Sequence, residues 1–242
     1  MPIRAVLWDI DDTLFDYTSA DTTGMQRHLT AEGLADGFES VDHALAVWRE
    51  LTAIHWARFA AGSVSFQEQR RDRVRDFLGE ASLSDAEADD WFDRYITHYR
   101  AAWAVFPDVL PVLDLLTPRY RHGVLSNSST ANQDHRLRTL GLRDRFEVLL
   151  CAEDLGVSKP AAGAFLAACR ALDLPPCDIA YVGDKIDIDA CGARDAGLTG
   201  VWLDRFHTSD EVPAGVHRIN GLEQLPALLH GHTRFGAPSP IG

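Results

Sequence analysis

The chain has 242 residues, 46% apolar and 24% charged, the proportions of a soluble globular protein with enough apolar side chains for a sizeable core. Its formal net charge of −13 argues against nucleic acid or an anionic membrane as a standing partner. No stretch approaches the ~18 apolar residues of a membrane span, the N-terminal apolar run is too short for a signal peptide, and the four cysteines hold no C-x-x-C pair, so a cytoplasmic protein with reduced thiols is expected.

The first predicted element is a buried strand at Val6-Leu7-Trp8 that stops in three acids, Asp9, Asp11 and Asp12. Carboxylates this close repel one another, and burial strengthens the repulsion. A divalent cation is the simplest compensation, because hard cations take carboxylate oxygens. The plain alternative is an acidic, solvated turn.

From Tyr17 to Trp103 the pattern is helical throughout. Leu45, Trp48, Leu51, His55, Trp56 and Phe59 recur at spacings of three and four, and further helices are expected over Phe66 to Leu78 and Asp85 to Ala102. Ser84 and Glu87 fit a capping box for the last of these. Trp48 and Trp56 are expected as helical core. The basic run Arg70-Arg71-Asp72-Arg73-Val74-Arg75 is expected as a solvated helix face.

After Phe106-Pro107 strands and helices alternate. Helices are expected at Val109 to Leu116, Asn132 to Leu140, Ala161 to Leu172 (opened by Pro160), Asp189 to Ala196 and Leu222 to Leu229. Strands are expected at His122 to Ser126, Phe146 to Cys151, Ile179 to Val182 and Gly200 to Leu203. Such alternation predicts an α/β fold, a parallel sheet with helices on both faces.

In an open parallel sheet, ligands bind beyond the carboxyl ends of the strands. Asp9, Asp11 and Thr13 follow the first strand; Ser126 and Asn127 the second; Lys159 comes a few residues after the third; Gly183, Asp184, Asp187 and Asp189 follow the fourth. Singly, each has an ordinary explanation as a turn residue, a helix cap or a solvated lysine. Together they suit phosphoryl transfer: carboxylates to hold Mg²⁺, a lysine to neutralise a phosphate that an acidic protein repels, and Ser126 with backbone N–H groups to donate to its oxygens.

Asp9-Ile10-Asp11-Asp12-Thr13 resembles the first motif, D-x-D-x-T, of the haloacid dehalogenase-like hydrolases. Leu125-Ser126-Asn127, Ser158-Lys159-Pro160 and the Val182 to Asp189 segment, followed by Gly192-Ala193-Arg194 and Ala196-Gly197, resemble the second to fourth motifs. The resemblance covers about residues 4 to 204 and is closest to phosphatases of small metabolites, including nucleotidases and acylneuraminate-phosphate phosphatases. It implies a Rossmann-like core at 1–16 and 104–232 and an all-helical cap inserted after the first strand at 17–103; the Gly/Pro-rich end of the chain is expected to form a disordered tail at 233–242. It implies Asp9 as nucleophile, Asp11 as proton carrier, and Mg²⁺ held by Asp9, the Asp11 carbonyl and Asp184, with Asp187 or Asp189 behind the metal. Thr13, Ser126, Asn127 and Lys159 are the implied phosphate-binding group. Two positions depart from the family pattern: Asp108 after Pro107, expected to matter little, and Lys185 beside Asp184.

Asp11 favours a phosphatase over a dehalogenase, because a leaving alkoxide needs a proton and a leaving halide does not. A phosphomutase shares the first step. A receiver-like switch phosphorylated on aspartate is the non-enzymatic alternative, but such domains are about half this length and lack a cap. The expected substrate is a small phosphorylated metabolite, with His55, Arg58, Gln69, Arg70 and Arg73 as candidate cap contacts. Nothing in the sequence bears on oligomeric state.

Overall fold

The computed structural model describes residues 2–34, 37–209 and 211–234. Two compact units emerge: residues up to Asp16 together with those from Ala104 on, and the stretch Tyr17–Trp103 between them.

The first unit is built on a six-stranded sheet, every neighbouring pair parallel. Its strands are β1 (Ala5–Trp8), β2 (Arg121–Ser126), β3 (Val148–Cys151), β4 (Ile179–Gly183), β5 (Thr199–Leu203) and β6 (His217–Ile219), in the order β3-β2-β1-β4-β5-β6. β1 is fully buried along its length, as a strand covered on both faces must be. On one face Ala5, Leu7, Leu125, Ile179 and Tyr181 pack on Ala164, Phe165 and Ala168. On the other, Val6, Trp8 and Val182 are equally enclosed. The chain steps from β1 outward through β2 and β3, then returns to the other side of β1 as β4. Strand order thus reverses beside β1, where open α/β sheets bind their ligands.

The helices of this unit are α5 (Val109–Leu116), α6 (Thr130–Thr139), α7 (Ala152–Leu155), α8 (Ala162–Ala171), α9 (Gly192–Asp195) and α10 (Leu225–Arg234). This unit differs from expectation in several places. Pro160 does not open α8, which begins two residues later; the Lys159–Pro160 peptide is cis. The segment expected as a helix from Asp189 is a π-helical turn at Ile186–Cys191 leading into the short α9. The edge strand β6 was not expected, because His217-Arg218-Ile219 carries no apolar run. Residues 233 and 234, expected in a tail, continue α10, and 235–242 lie outside the described residues. Among the described residues no helix is long and apolar enough to cross a membrane, and all four cysteines are free thiols.

The second unit is wholly helical among its described residues: α1 (Tyr17–Glu32), α2 (Val41–Ala60), α3 (Phe66–Leu78) and α4 (Asp85–Arg100). Capping boxes open α3 at Ser65/Glu68 and α4 at Ser84/Glu87. The core is aromatic: Trp48 contacts Tyr95, Phe77 and Trp91 at centroid distances of 4.9, 5.2 and 5.6 Å. The basic run on α3 is not one solvated face. Arg71 and Arg75 pair with Asp85, but Arg73 is buried, its guanidinium 4.5 Å from the Trp48 ring centre. An arginine can cover apolar rings with its planar head, which a charge count does not reveal.

Gly24 on α1 lets that helix meet α4 at backbone distance: a Cβ there would lie 2.6 Å from Tyr99 Cα. Gly24→Ala gains up to about 1 kcal/mol of helix propensity, but the clash with backbone costs about 1–3 kcal/mol. Denaturant melts should show the variant less stable than the parent; equal or greater stability would mean the two helices are not packed this closely.

Candidate active site

The ladder between β1 and β4 runs one residue beyond β1, with the Asp9 N–H donating to the Val182 carbonyl at 2.9 Å. The chain then wraps around the Ile10 carbonyl, which accepts from the N–H groups of Thr13, Leu14 and Phe15. This turn needs a left-handed residue, and Asp12 supplies it at φ 54°, a conformation that aspartate tolerates better than most. Asp12 therefore shapes the turn, while Asp9 and Asp11 are carried to its rim.

Asp9 is 8% exposed and Lys159 4%. The Lys159 ammonium donates to Asp9 Oδ1 at 2.7 Å, Asp189 Oδ1 at 2.7 Å and the Tyr181 hydroxyl at 2.6 Å. An ammonium has three hydrogens, and all three are used. A direct bond from Lys159 to a phosphate would require one of them to be released. Tyr181, absent from the sequence reading, holds the third position; its own hydrogen lies between the Leu125 carbonyl at 3.0 Å and Asp189 at 3.2 Å.

The Asn127 side chain faces the lysine backbone. Its amide donates to the Lys159 carbonyl and accepts from the Lys159 N–H, both at 2.8 Å. Both ends of the side chain are spent on clamping the lysine backbone to the end of β2, so the side chain positions Lys159. Ser126 is 3% exposed and accepts from Gln133 Nε2 at 3.2 Å. Thr13 is fully buried, and its hydroxyl has no hydrogen-bond partner in the protein.

Asp9, Asp184 and Asp189 offer carboxylate oxygens all within 4.8 Å of one another. Asp189 reaches this position because Gly183 lacks a side chain: a Cβ there would stand 2.4 Å from Asp189 Cγ. Its second oxygen accepts from the Lys185 N–H at 3.0 Å. Asp187, named with Asp189 as a candidate behind the metal, is exposed and outside the cluster; on the π-helical turn, residues two apart face different ways. Lys185 is exposed too. Asp184 keeps one oxygen, Oδ1, buried without a partner.

Three carboxylates and one ammonium leave this cluster short of two positive charges. Burial, with the repulsion of Asp189 and Asp11, outweighs the attraction of Lys159 and raises Asp9 to about 7. Burial and the repulsion of Asp9 and Asp189 raise Asp184 to about 8, although Lys185 pulls the other way. An unpartnered buried oxygen beside two such carboxylates fits a hard divalent cation.

Asp11 is partly exposed, its carboxylate paired with the Arg136 guanidinium. Arg136 lies 4.5 Å over the Phe15 ring and donates to Gln133 Oε1 at 3.1 Å. The sequence reading missed Gln133 and Arg136; their spacing of three on the helix after Ser126-Asn127 was the available signal. Asp108 matters more than expected. Its carboxylate takes both Nη atoms of Arg205, at 2.8 and 3.0 Å, and the Leu222 N–H at 2.9 Å. Arg205 also donates to the Thr13 carbonyl at 2.9 Å, so the nucleophile loop is tied to the loops after β5 and β6.

A family model described as haloacid dehalogenase-like hydrolase matches residues 3–197. The pyrimidine 5′-nucleotidase of Escherichia coli is 26% identical over 231 residues, covering 94% of this chain and 98% of that protein. A 2-haloacid dehalogenase structure from Pseudomonas syringae is 28% identical with a TM-score of 0.66, covering 95% of this chain and 99% of that one. A magnesium-bound HAD-type hydrolase from Bacillus subtilis has a TM-score of 0.74 at 21% identity over 95% of this chain and 99% of that one, a likeness of fold.

The raised Asp184 gives a pH signature. The folded state binds this proton more tightly than the unfolded chain, so stability is lost as pH rises from about 4 and levels off above about 8. In chelator, Asp184→Asn should therefore be more stable than the parent, by a margin that grows across that range in thermal melts. A margin independent of pH would remove the burial and crowding of this carboxylate as its cause.

Proposed function

Because this chain belongs to the haloacid dehalogenase-like hydrolases, we propose that it is a Mg²⁺-dependent phosphatase acting on a small phosphorylated metabolite. The observation that carries this reading is the charge deficit around Asp9, Asp184 and Asp189, which a divalent cation relieves. Asp9 and Asp184 are the groups to hold the ion, with Asp189 supporting them from Lys159 and Tyr181. Bound there, Mg²⁺ would neutralise phosphate oxygens in a site that otherwise repels them.

Asp9 attacks phosphorus and the phosphorus–oxygen bond to the leaving group breaks, giving an aspartyl-phosphate. Lys159, bonded to Asp9 Oδ1, orients the carboxylate and leaves the other oxygen for attack. Asp11 gives its proton to the departing alkoxide, then takes one from the water that attacks the intermediate and regenerates Asp9. Thr13 and Ser126 donate hydroxyl hydrogens to the phosphate oxygens; the Thr13 hydroxyl, buried without a partner, is available for this.

Relatives include both a nucleotidase and a dehalogenase, so leaving-group chemistry has to decide between them. Asp11 on the rim, two residues past Asp9, favours the leaving group that needs a proton. The phosphomutase alternative differs only in the acceptor of the second step. The substrate class spans nucleotides and sugar phosphates, and the E. coli relative makes 5′-nucleotides the first to assay. Free thiols and the acidic surface support a cytoplasmic setting without nucleic-acid or membrane partners.

With p-nitrophenyl phosphate and Mg²⁺, Asp9→Asn should lose about a thousandfold or more of turnover, and Asp11→Asn about a hundredfold or more. Wild-type turnover in Asp9→Asn would sink the mechanism. A parent that releases chloride from 2-chloropropionate and leaves the phosphate ester intact would replace the reading with dehalogenation. Removing the metal with chelator should abolish phosphatase activity, and restored Mg²⁺ should raise the melting temperature more at pH 8 than at pH 6, since cation binding displaces the protons on Asp9 and Asp184.

A further inference from the structure

We infer that Gln133 and Arg136, three residues apart on α6, fix the hydrogen-bond polarity of the Ser126 hydroxyl and so commit that position to an oxyanion. The inference rests on the phosphatase reading and adds how the phosphate position is enforced.

The polarity is set along a chain of donors. A guanidinium can only donate. Arg136 Nη1 donates to Gln133 Oε1 at 3.1 Å, so the amide oxygen must face the arginine. The two ends of a glutamine amide have nearly the same shape, and its partners decide which way it points; here an obligate donor decides. The amide nitrogen then faces Ser126 Oγ at 3.2 Å and donates to it. The serine is left with its single hydrogen to give away, and that hydrogen cannot go to Gln133. Gln133 is 1% exposed and Ser126 3%, so water does not compete to turn either group. Arg136 is held over the Phe15 ring, 4.5 Å from its centre.

Phosphate oxygens without protons only accept. A serine free to rotate would spend part of its time donating inward, and binding would have to reverse that. The relay removes the competition before the ligand arrives, which is preorganisation. The same Arg136 nitrogen donates to Asp11, so the phosphate donor and the proton carrier share one guanidinium. Neither Gln133 nor Arg136 need touch the reacting atoms; both are positioning residues.

The test is calorimetric titration of inorganic phosphate into the full chain with Mg²⁺ present, alongside steady-state kinetics on p-nitrophenyl phosphate. Glutamate at position 133 is acceptor-only and draws the serine hydrogen inward. Gln133→Glu should raise the phosphate Kd about tenfold or more, and should raise KM more than it lowers kcat. In a Ser126→Ala background the same substitution should cost clearly less, because only charge repulsion is left. Gln133→Met, which frees the hydroxyl to rotate, should raise Kd about two- to threefold. If Gln133→Glu fails to fold by its melting curve, Gln133→Met and Arg136→Met carry the test, the latter by letting the amide flip. Folded variants that bind phosphate as tightly as a parent that both binds and hydrolyses overturn this inference alone. A parent that neither binds phosphate nor hydrolyses the ester overturns the phosphatase reading, and this inference with it.

Discussion

An ammonium enclosed as fully as that of Lys159 must satisfy every hydrogen it carries, because an unpaired buried charge is far costlier than any single contact is favourable. Its three acceptors come from three elements: Asp9 after β1, Tyr181 within β4 and Asp189 on the π-helical turn. Asn127 holds the lysine backbone from a fourth place, the end of β2. Positions of the nucleophile, the acid cluster and the strand ends are therefore not independent. Moving any one of them leaves either a bare ammonium or a bare carboxylate. Asp9 and Asp189 raise the affinity of Lys159 for its proton although burial opposes it, so the lysine stays charged and the arrangement stays locked.

The lock does not neutralise the site. Asp184 stands outside it with an oxygen that no protein group reaches, and burial, together with the crowding of like charges, raises both Asp184 and Asp9 towards neutral pH. A core chosen for stability alone would not bury carboxylates in this ratio. Natural sites carry such local conflicts where function requires them and compensate elsewhere. Here the compensation lies in the enclosed apolar sheet beneath, where β1 and β4 are buried along their whole length.

What the sequence made legible follows the same physics. Asp9, Ser126, Lys159 and Asp184 were readable because charged and hydroxyl residues at the ends of apolar strands have few structural reasons to be there. Tyr181 was hidden, since an aromatic inside a strand reads as core, and its hydroxyl finds the ammonium only once β4 lies beside β1. Gln133 and Arg136 look like solvated residues until α6 turns them onto Ser126 and Asp11. Asp187 and Asp189 could not be separated, because a helical turn with π spacing changes which of two alternate residues faces inward. That the Asn127 side chain serves the lysine backbone depends on a loop 32 residues away, which its own neighbours in sequence do not reveal. The helical character of the insert was plain from periodicity, whereas the burial of Arg73 over Trp48 depended on packing between helices.

Within the sheet unit, the chain leaves for the helical stretch and returns from it at one narrow root. Phe15 pairs with Val105 as an antiparallel bridge, the Asp16 N–H donates to the Ala104 carbonyl, and Arg205 with Asp108 closes the root from below. No strand of the sheet is interrupted by the excursion, and no ladder bond depends on its length. The helical stretch is thus set between one finished strand and the next, outside the ladder. A change in the length of that stretch therefore moves no ladder partner in the sheet that carries the aspartate.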